Sequence, residues 1–170
     1  MDEVGRLFEC HEYFVPEMLI AARAMRAALE VVQSRLTKAQ TESKGKVVIG
    51  TVKGDLHDIG KNLVAAMLQG SGYEILDLGT DVPPEKFVKT IEENKANAVA
   101  LSALLTTTMP EMKNVIEALV KAGIRDRVKV LVGGAPVTEE FAKQIGADGY
   151  GETAVAAVGL TRSLVASATA

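Results

Sequence analysis

One short segment of the chain combines a carboxylate, an imidazole and two glycines in an order that could hold a metal-containing ligand. It reads Gly54-Asp55-Leu56-His57-Asp58-Ile59-Gly60. Asp55 stands two residues before His57, and a carboxylate that accepts the Nδ1–H of an imidazole fixes its tautomer and raises the basicity of Nε2. This arrangement is typical of a metal-ligating histidine. A histidine in a loop, taken alone, is more often not a ligand.

Two further segments with polar or small residues follow later apolar runs. Residues 102–110 read SALLTTTMP and supply four hydroxyls, which can cap a helix, bind a ligand or bond to Asp55. The pair Gly133-Gly134 ends the fourth apolar run and could make room for a ligand. Loop hydroxyls are mostly helix caps, however, and paired glycines are often only a turn. Because these segments add no further histidine, cysteine or carboxylate cluster, a metal here would have to arrive in its own macrocycle.

The pattern of apolar runs predicts the elements that position these loops. The predicted strands are residues 47–52, 73–78, 98–104, 128–132 and 148–150, and the helices that follow them are 62–69, 84–94, 110–122, 139–144 and 153–165. This alternation indicates an α/β domain with a five-stranded, parallel, doubly wound sheet of the flavodoxin-like or Rossmann-like kind. With the strand order 2-1-3-4-5, a ligand would bind beyond the carboxyl ends of strands 1 and 3.

The first 40 residues are predicted to be helical and to form a separate unit. Apolar side chains recur there at spacings of three and four, with a short helix to about His11 and a long one from about Pro16 to Thr37. A polar linker is expected over residues 38–46. The sequence therefore divides into an N-terminal helical part, residues 1–40, and an α/β domain, residues 45–170.

Composition and charge exclude several classes of function. The formal net charge is −3, with no block of like charges, which argues against a nucleic-acid or anionic-membrane surface. No apolar run approaches the ~20 residues that span a bilayer, and the N-terminus lacks a secretion-signal pattern. The single cysteine, Cys10, excludes an intramolecular disulfide and fits a cytoplasmic setting. We expect Cys10 to be a small core residue and Lys61 to be solvated, with contact to the edge of a bound ligand as the alternative for Lys61.

The three segments together resemble the signature of cobalamin-binding domains. The residues that carry the resemblance are Asp55-x-His57-x-x-Gly60, Ser102-x-Leu104 and Gly133-Gly134, separated by 41 and 28 residues. The fuller string from Gly54 to Asn62 is similar to that of the methyl-transfer branch, which includes methionine synthase and the small corrinoid proteins of methyltransferase systems. The mutase branch usually carries an arginine where Ile59 stands. The resemblance extends over about residues 4–165.

The resemblance implies roles for individual residues. His57 would be the lower axial ligand of cobalt, in place of the cofactor's own dimethylbenzimidazole (base-off/His-on). Asp55 would bond His57 and relay a proton, and Thr108 would complete this ligand triad. The other residues implied to contact the cofactor are Gly54, Leu56, Asp58, Ile59, Gly60, Ser102, Leu104, Thr106, Gly133, Gly134, Tyr150 and Ala154, with Phe8, Val15, Met18 and Leu19 from a helical cap. The last four could equally be core residues between two helices.

The resemblance also implies a function, that of a cobalamin carrier subunit without catalytic activity of its own. Cobalt would accept a methyl group from a donor, giving methylcobalamin, and pass it to an acceptor. The implied partners are a methyl-donor methyltransferase, a methyl-acceptor methyltransferase and a reductive activator. The alternatives are a cobalamin-sensing regulatory module, a mutase B12 domain, and a receiver or flavodoxin-like module without a corrin. Ser102 argues against a receiver, and Asp55 with His57 argues against a flavodoxin.

Relatives of this kind carry a longer helical cap. Because only about 40 residues precede the first predicted strand, we expect half of such a cap, through truncation or natural reduction. Half a bundle would leave apolar surface exposed, which favours self-association or a partner.

Overall fold

The structure is a computed structural model that describes residues 1–33 and 43–167. Its strands are β1 (Lys46–Thr51), β2 (Glu74–Asp77), β3 (Ala98–Ser102), β4 (Lys129–Gly133) and β5 (Gly149–Tyr150). Its helices are α1 (Asp2–Glu9), α2 (Val15–Gln33), α3 (Ile59–Gly70), α4 (Pro84–Asn94), α5 (Pro110–Lys121), α6 (Glu139–Ile145) and α7 (Ala154–Ser167). The predicted α/β fold is confirmed, with every predicted strand and helix of the α/β part present.

The sheet is parallel throughout, with the order β2-β1-β3-β4-β5. Strand order therefore reverses between β1 and β3, as predicted. The middles of the strands are apolar because both faces of the sheet are covered by helices. The polar residues stand at the strand ends, and among them Thr51, the last residue of β1, is a fully buried hydroxyl.

Two apolar clusters fill the space on either side of the sheet. One is built with residues of α4, α5 and α6, including Phe87, Met112 and Leu119. The other is built with residues of α2, α3 and α7, including Met18, Met67 and Val158. The sheet is thus sandwiched between two helical layers, and burial of these apolar side chains is the main force holding the layers together.

The two N-terminal helices pack onto the α3/α7 layer. Asp2 of α1 forms an ion pair with Arg162 of α7 at 2.8 Å, and a Cβ on Gly5 would lie 2.9 Å from Val155. Helix α2 lies against α3 and contributes the fully buried Met18. None of the helices within the described ranges is long and apolar enough to cross a membrane.

The boundaries of several predicted elements differ from the observed ones. Helix α3 begins at Ile59 rather than Asn62, because the main-chain oxygen of Asp58 already accepts the N–H of Asn62 at 2.7 Å. Strand β3 ends at Ser102 rather than residue 104. The predicted end of the second helix at Thr37, and residues 38–42 of the predicted linker, lie outside the described residues.

Two predicted environments are also wrong. Cys10 is exposed at the end of α1 rather than in the core. Lys61 is buried rather than solvated, with only 2% of its side chain exposed.

Candidate functional site

The register of the sheet brings the three sequence segments to one edge. Thr51 pairs with Ser102, and Ser102 pairs with Gly133, so these residues form one row across the ends of β1, β3 and β4. The loops that leave this row carry the Asp55–His57 segment, the hydroxyl-rich segment and the paired glycines. All three segments therefore converge where the strand order reverses.

Asp55 is completely buried and binds five donors. Its Oδ2 accepts the Thr108 hydroxyl at 2.7 Å and the main-chain N–H groups of Leu104 and Leu105 at 2.8 and 3.3 Å. Its Oδ1 accepts the main-chain N–H of His57 at 3.1 Å and lies 2.7 Å from Nδ1 of the ring. Burial alone would raise the pKa of Asp55, but these hydrogen bonds outweigh it and hold that pKa well below the ordinary range. The carboxylate is therefore anionic at neutral pH.

The ring of His57 is held at one nitrogen and open at the other. Because ionised Asp55 can only accept, Nδ1 carries the proton in the Asp55–His57 hydrogen bond. The neutral ring then presents the lone pair of Nε2, the atom that binds metals in this tautomer. The side chain is 52% exposed, so Nε2 is available to a ligand above the loop.

Other contacts brace the loop that carries His57. The buried hydroxyl of Thr51 donates to the main-chain oxygen of His57 at 2.8 Å. The Asp81 carboxylate accepts the N–H of Gly54 at 2.7 Å, and the main-chain N–H of Asp81 donates to the main-chain oxygen of Asp55 at 3.0 Å. Hydrogen bonds thus hold His57 to the end of β1, and hold Gly54 and Asp55 to the segment before α4.

A cavity of about 660 Å³ opens beside His57, between the sheet and helices α3 and α7. Residues of the three segments line its mouth, and small or apolar residues of the two helices line its walls. The predicted site residues that line it are Phe8, Leu56, His57, Asp58, Ile59, Gly60, Ser102, Leu104, Gly133, Gly134 and Ala154.

The other predicted site residues do not line this cavity. Asp55 and Thr108 lie behind His57, and Gly54 is in the loop before it. Thr106 is exposed on its loop, and Tyr150 packs on the cluster across the sheet. In α2, Met18 is fully buried, and Val15 and Leu19 are 38% and 42% exposed. Contact of any of the predicted site residues with a cofactor stays a prediction.

The glycines of the site lack a side chain for different physical reasons. A Cβ on Gly134 would overlap the carbonyl oxygen of Ala103, and one on Gly133 would lie 2.9 Å from that of Gly151. These two glycines therefore allow the β4 loop to pack against its neighbours. Gly60 is different, because a Cβ at this position would have no heavy atom within 4 Å. Gly60 lies in the first turn of α3 and lines the cavity, so the absence of a side chain here leaves space beside His57.

Sequence reasoning missed two lining residues of helix α7, Ala157 and Thr161. They face the cavity together with the predicted Ala154, at spacings of three and four residues that place all three on one face of the helix. This spacing from Ala154 was the signal that could have found them. Sequence reasoning also missed Thr51, the one hydroxyl of β1.

The comparisons with known proteins agree with this site. The B12 binding domain family matches residues 45–159, and a second family, also described as a B12 binding domain, matches residues 1–33. The chain therefore belongs to the B12-binding domain family, and its cofactor is a cobalamin.

Named relatives align with almost the whole chain. Trimethylamine corrinoid protein 1 of Methanosarcina acetivorans is 48% identical over 167 residues, which cover 97% of this chain and 77% of that protein. Dimethylamine corrinoid protein 3 of Methanosarcina mazei is 46% identical over 167 residues, which cover 98% of this chain and 100% of that protein.

Two solved structures share the fold closely. A cobalamin-binding protein from Desulfitobacterium hafniense has a TM-score of 0.84 at 36% identity, over 95% of this chain and 76% of that one. The methanol:cobalamin methyltransferase complex of Methanosarcina barkeri has a TM-score of 0.83 at 35% identity, over 95% of this chain and 61% of that one.

The residues present fit a corrinoid. Among the described residues, no cluster of three or more His, Cys, Asp or Glu side chains could hold a bare metal ion, so a metal that binds here must bring most of its own ligands. His57 offers one open nitrogen to such a metal. The cavity beside it is lined by small and apolar residues, Gly60 among them.

Proposed function

We propose that this protein is a corrinoid methyl carrier that binds cobalamin base-off/His-on, with Nε2 of His57 as the lower ligand of cobalt. The observation that carries the proposal is the buried Asp55 carboxylate, which holds Nδ1 of His57 at 2.7 Å and leaves Nε2 open at the cavity mouth. When bound, the cofactor supplies the cobalt centre that takes up and gives away a methyl group.

The chain's own residues orient the ligand and manage its proton. Thr108 and the N–H groups of Leu104 and Leu105 hold the Asp55 carboxylate in place, and this carboxylate fixes the tautomer of His57. Because five donors stabilise the anion, a proton taken up by the Asp55–His57 pair while Nε2 has no ligand would reside on Nε2 of the ring and not on Asp55. The imidazolium so formed would remain paired with the carboxylate, which stabilises it.

The cavity would hold the displaced nucleotide tail. Ser102, half-buried at the end of β3, has a hydroxyl at the mouth for the tail to bond. Gly60 and the small residues of α7 leave the space for the flat base. Phe8 closes one side from α1, so the first N-terminal helix would contribute to tail binding.

The partners would be methyltransferases. A corrinoid protein within a methanol:cobalamin methyltransferase complex shares the fold, and the relatives named above are methylamine corrinoid proteins. We therefore propose that a methylamine-class methyltransferase loads this carrier and that a second methyltransferase unloads it, with a reductive activator restoring the cofactor after accidental oxidation. The exposed side chains of Leu56, Ile59 and Leu104 around His57 would lie at the docking face.

The test is the visible spectrum of the cobalamin complex. Replacing His57 with glycine removes the proposed ligand, so we expect the spectrum of bound methylcobalamin to change and added imidazole to restore it. His11→Gly is the matched control, because His11 is exposed and has a φ of 62°, which glycine adopts readily. An unaltered spectrum in His57→Gly would exclude His57 as the ligand, and failure of the native protein to bind any corrinoid would exclude the whole proposal.

A further inference from the structure

Two segments of the chain hold the loop that carries Asp55 and His57, one from each neighbouring strand of the sheet. Strand β1, which the loop follows, lies between β2 and β3. From the β3 side, the Thr108 hydroxyl donates to the Asp55 carboxylate at 2.7 Å. From the β2 side, Asp81 contacts the same loop from the segment between β2 and α4. The position of Asp55 therefore depends on residues on both sides of β1.

Asp81 makes two hydrogen bonds to the loop, one with its side chain and one with its main chain. Its carboxylate accepts the N–H of Gly54 at 2.7 Å, and its own N–H donates to the main-chain oxygen of Asp55 at 3.0 Å. The first bond holds the peptide group before Gly54, and the second holds the peptide group after Asp55. The two bonds thus fix both ends of the dipeptide whose carboxylate holds Nδ1 of His57 at 2.7 Å.

Gly54 by itself does not fix the direction of this dipeptide. Its φ is +79°, in a region that glycine adopts about as readily as negative φ. A Cβ built on Gly54 would make only an ordinary contact with Thr108, at 3.7 Å. Because glycine has more backbone freedom than any other residue, external contacts must select one conformation of the loop here. Asp81 supplies the contact at the Gly54 end.

The backbone of Asp81 has an unusual conformation that its two hydrogen bonds explain. Its φ is 53°, in the left-handed region that is unfavourable for residues with a side chain, although aspartate tolerates it better than most. The other non-glycine residues with positive φ in the described part of the chain are His11 and Lys95. Both stand at the end of a helix, where this conformation is common. Asp81 follows a strand instead, so its conformation is maintained by the contacts with Gly54 and Asp55.

We propose that Asp81 is a positioning residue for the lower ligand of cobalt. By holding Gly54 and Asp55, it sets the orientation of the Asp55 carboxylate and, through that carboxylate, of the imidazole of His57. The inference rests on the proposed function, since it assigns Asp81 a role in ligation by His57. Asp81 and Gly54 are both exposed, so water can bind the Gly54 N–H when the carboxylate is removed. Loss of the carboxylate therefore loosens the loop without disturbing the core.

Two measurements on Asp81→Gly test this role. Glycine adopts a positive φ readily but offers no carboxylate, so the variant removes the hydrogen bond and keeps the backbone conformation. Amide hydrogen exchange of Gly54, measured by NMR in the cobalamin-free protein, should become at least tenfold faster. In the visible spectrum of bound methylcobalamin, the ratio of His57-bound to His57-free forms should fall at least threefold. Asp81→Asn keeps an acceptor oxygen and tolerates the same φ, so both values should lie nearer to those of the native protein than to those of Asp81→Gly.

Lys95→Gly is the matched control, because Lys95 is exposed and has nearly the same φ, 51°, but lies at the end of α4 away from the loop. Both measurements should match those of the native protein. Native exchange of Gly54 in Asp81→Gly would overturn the proposal, and so would faster exchange with an unchanged spectrum. A spectrum that changes in His57→Gly but not in Asp81→Gly removes this inference alone. A spectrum that is unaltered in His57→Gly removes the proposed ligand and this inference with it.

Discussion

The Oγ1 atom of Thr108, just before α5, lies 2.7 Å from Oδ2 of Asp55, on the loop after β1. This buried contact joins two loops that are 53 residues apart in sequence. It also links Thr108 to His57, since the other oxygen of the same carboxylate holds the imidazole. The orientation of the proposed cobalt ligand is therefore determined by residues on both sides of the reversal in strand order.

Removal of the Asp55 charge should destabilise the fold and alter its response to acid. Asp55→Asn leaves several buried donors without an anionic acceptor, and we expect a loss of about 3 kcal/mol in the free energy of unfolding at pH 7. Because the pKa of Asp55 is lowered in the folded state, the native carboxylate contributes its full stability above the unfolded value of about 3.9. That contribution is lost as the pH falls further towards the folded pKa.

Urea unfolding of the native protein and of Asp55→Asn between pH 7 and pH 3 measures the loss of stability. The difference between their free energies of unfolding should be largest near neutrality and shrink below about pH 4. Asp126→Asn, at an exposed position, is the control and should follow the native curve. A difference that grows with acid would contradict the assigned sign.

Thr108 should act through Asp55 and so be a positioning residue. Thr108→Val keeps the shape of the side chain but removes the donor, so we expect a loss of about 1–2 kcal/mol and a rise in the pKa of Asp55. Acid unfolding should then occur at a higher pH than in the native protein. Thr108→Ser should restore the native midpoint, and Thr107→Val, at an exposed hydroxyl, should not move it. A native acid midpoint in Thr108→Val would show that its hydroxyl does not stabilise the carboxylate.

Gly60 should favour ligand binding at the expense of helix stability. Since nothing lies within 4 Å of a Cβ built there and its φ is not positive, Gly60→Ala should stabilise the cobalamin-free protein by roughly 0.5–1 kcal/mol. Gly60→Leu should fill the cavity mouth and lower cobalamin affinity at least tenfold. Thermal unfolding and a spectral titration measure the two effects.

Gly159 provides the comparison for Gly60. It also has open space around it, but it lies on α7 away from the cavity. Gly159→Leu should therefore leave the affinity unchanged. Equal affinities of Gly60→Leu and Gly159→Leu would mean that Gly60 does not border the bound cofactor.

Loss of Asp77 should destabilise the protein more than loss of its ion-pair partner, buried Lys61. Nζ of Lys61 lies 2.6 Å from both Asp77 Oδ2 and Asn62 Oδ1. Asp77→Ala leaves a buried ammonium with one neutral acceptor and should cost about 3 kcal/mol. Lys61→Met leaves Asp77, which is 40% exposed and can be solvated, so the loss should be about 1 kcal/mol.

Chemical denaturation of the two variants tests this inequality. Lys113→Met breaks a surface pair whose side chains are 59% and 51% exposed and should change stability by less than about 0.5 kcal/mol. A larger loss in Lys61→Met than in Asp77→Ala would contradict the argument.

The amino-acid sequence by itself determined the strands, their order and the ligand motif. Apolar runs such as 47–52 predict strands because burial on both faces requires continuous apolar residues. The order of a doubly wound sheet then places Asp55, Ser102 and Gly133 at one edge. These are consequences of local composition and of general rules for α/β topology.

Tertiary structure alone decided which groups meet and which are buried. The resemblance implied the Asp55–Thr108 contact, but its geometry depends on the register of β1 with β3, and no local pattern encodes it. The burial of Lys61 follows from Asp77 on a neighbouring strand, and the start of α3 at Ile59 follows from a main-chain hydrogen bond that forms despite a glycine in the first turn. For Asp55 and Lys61 the deciding energy comes from contacts between residues distant in sequence, which spacing along the chain does not report.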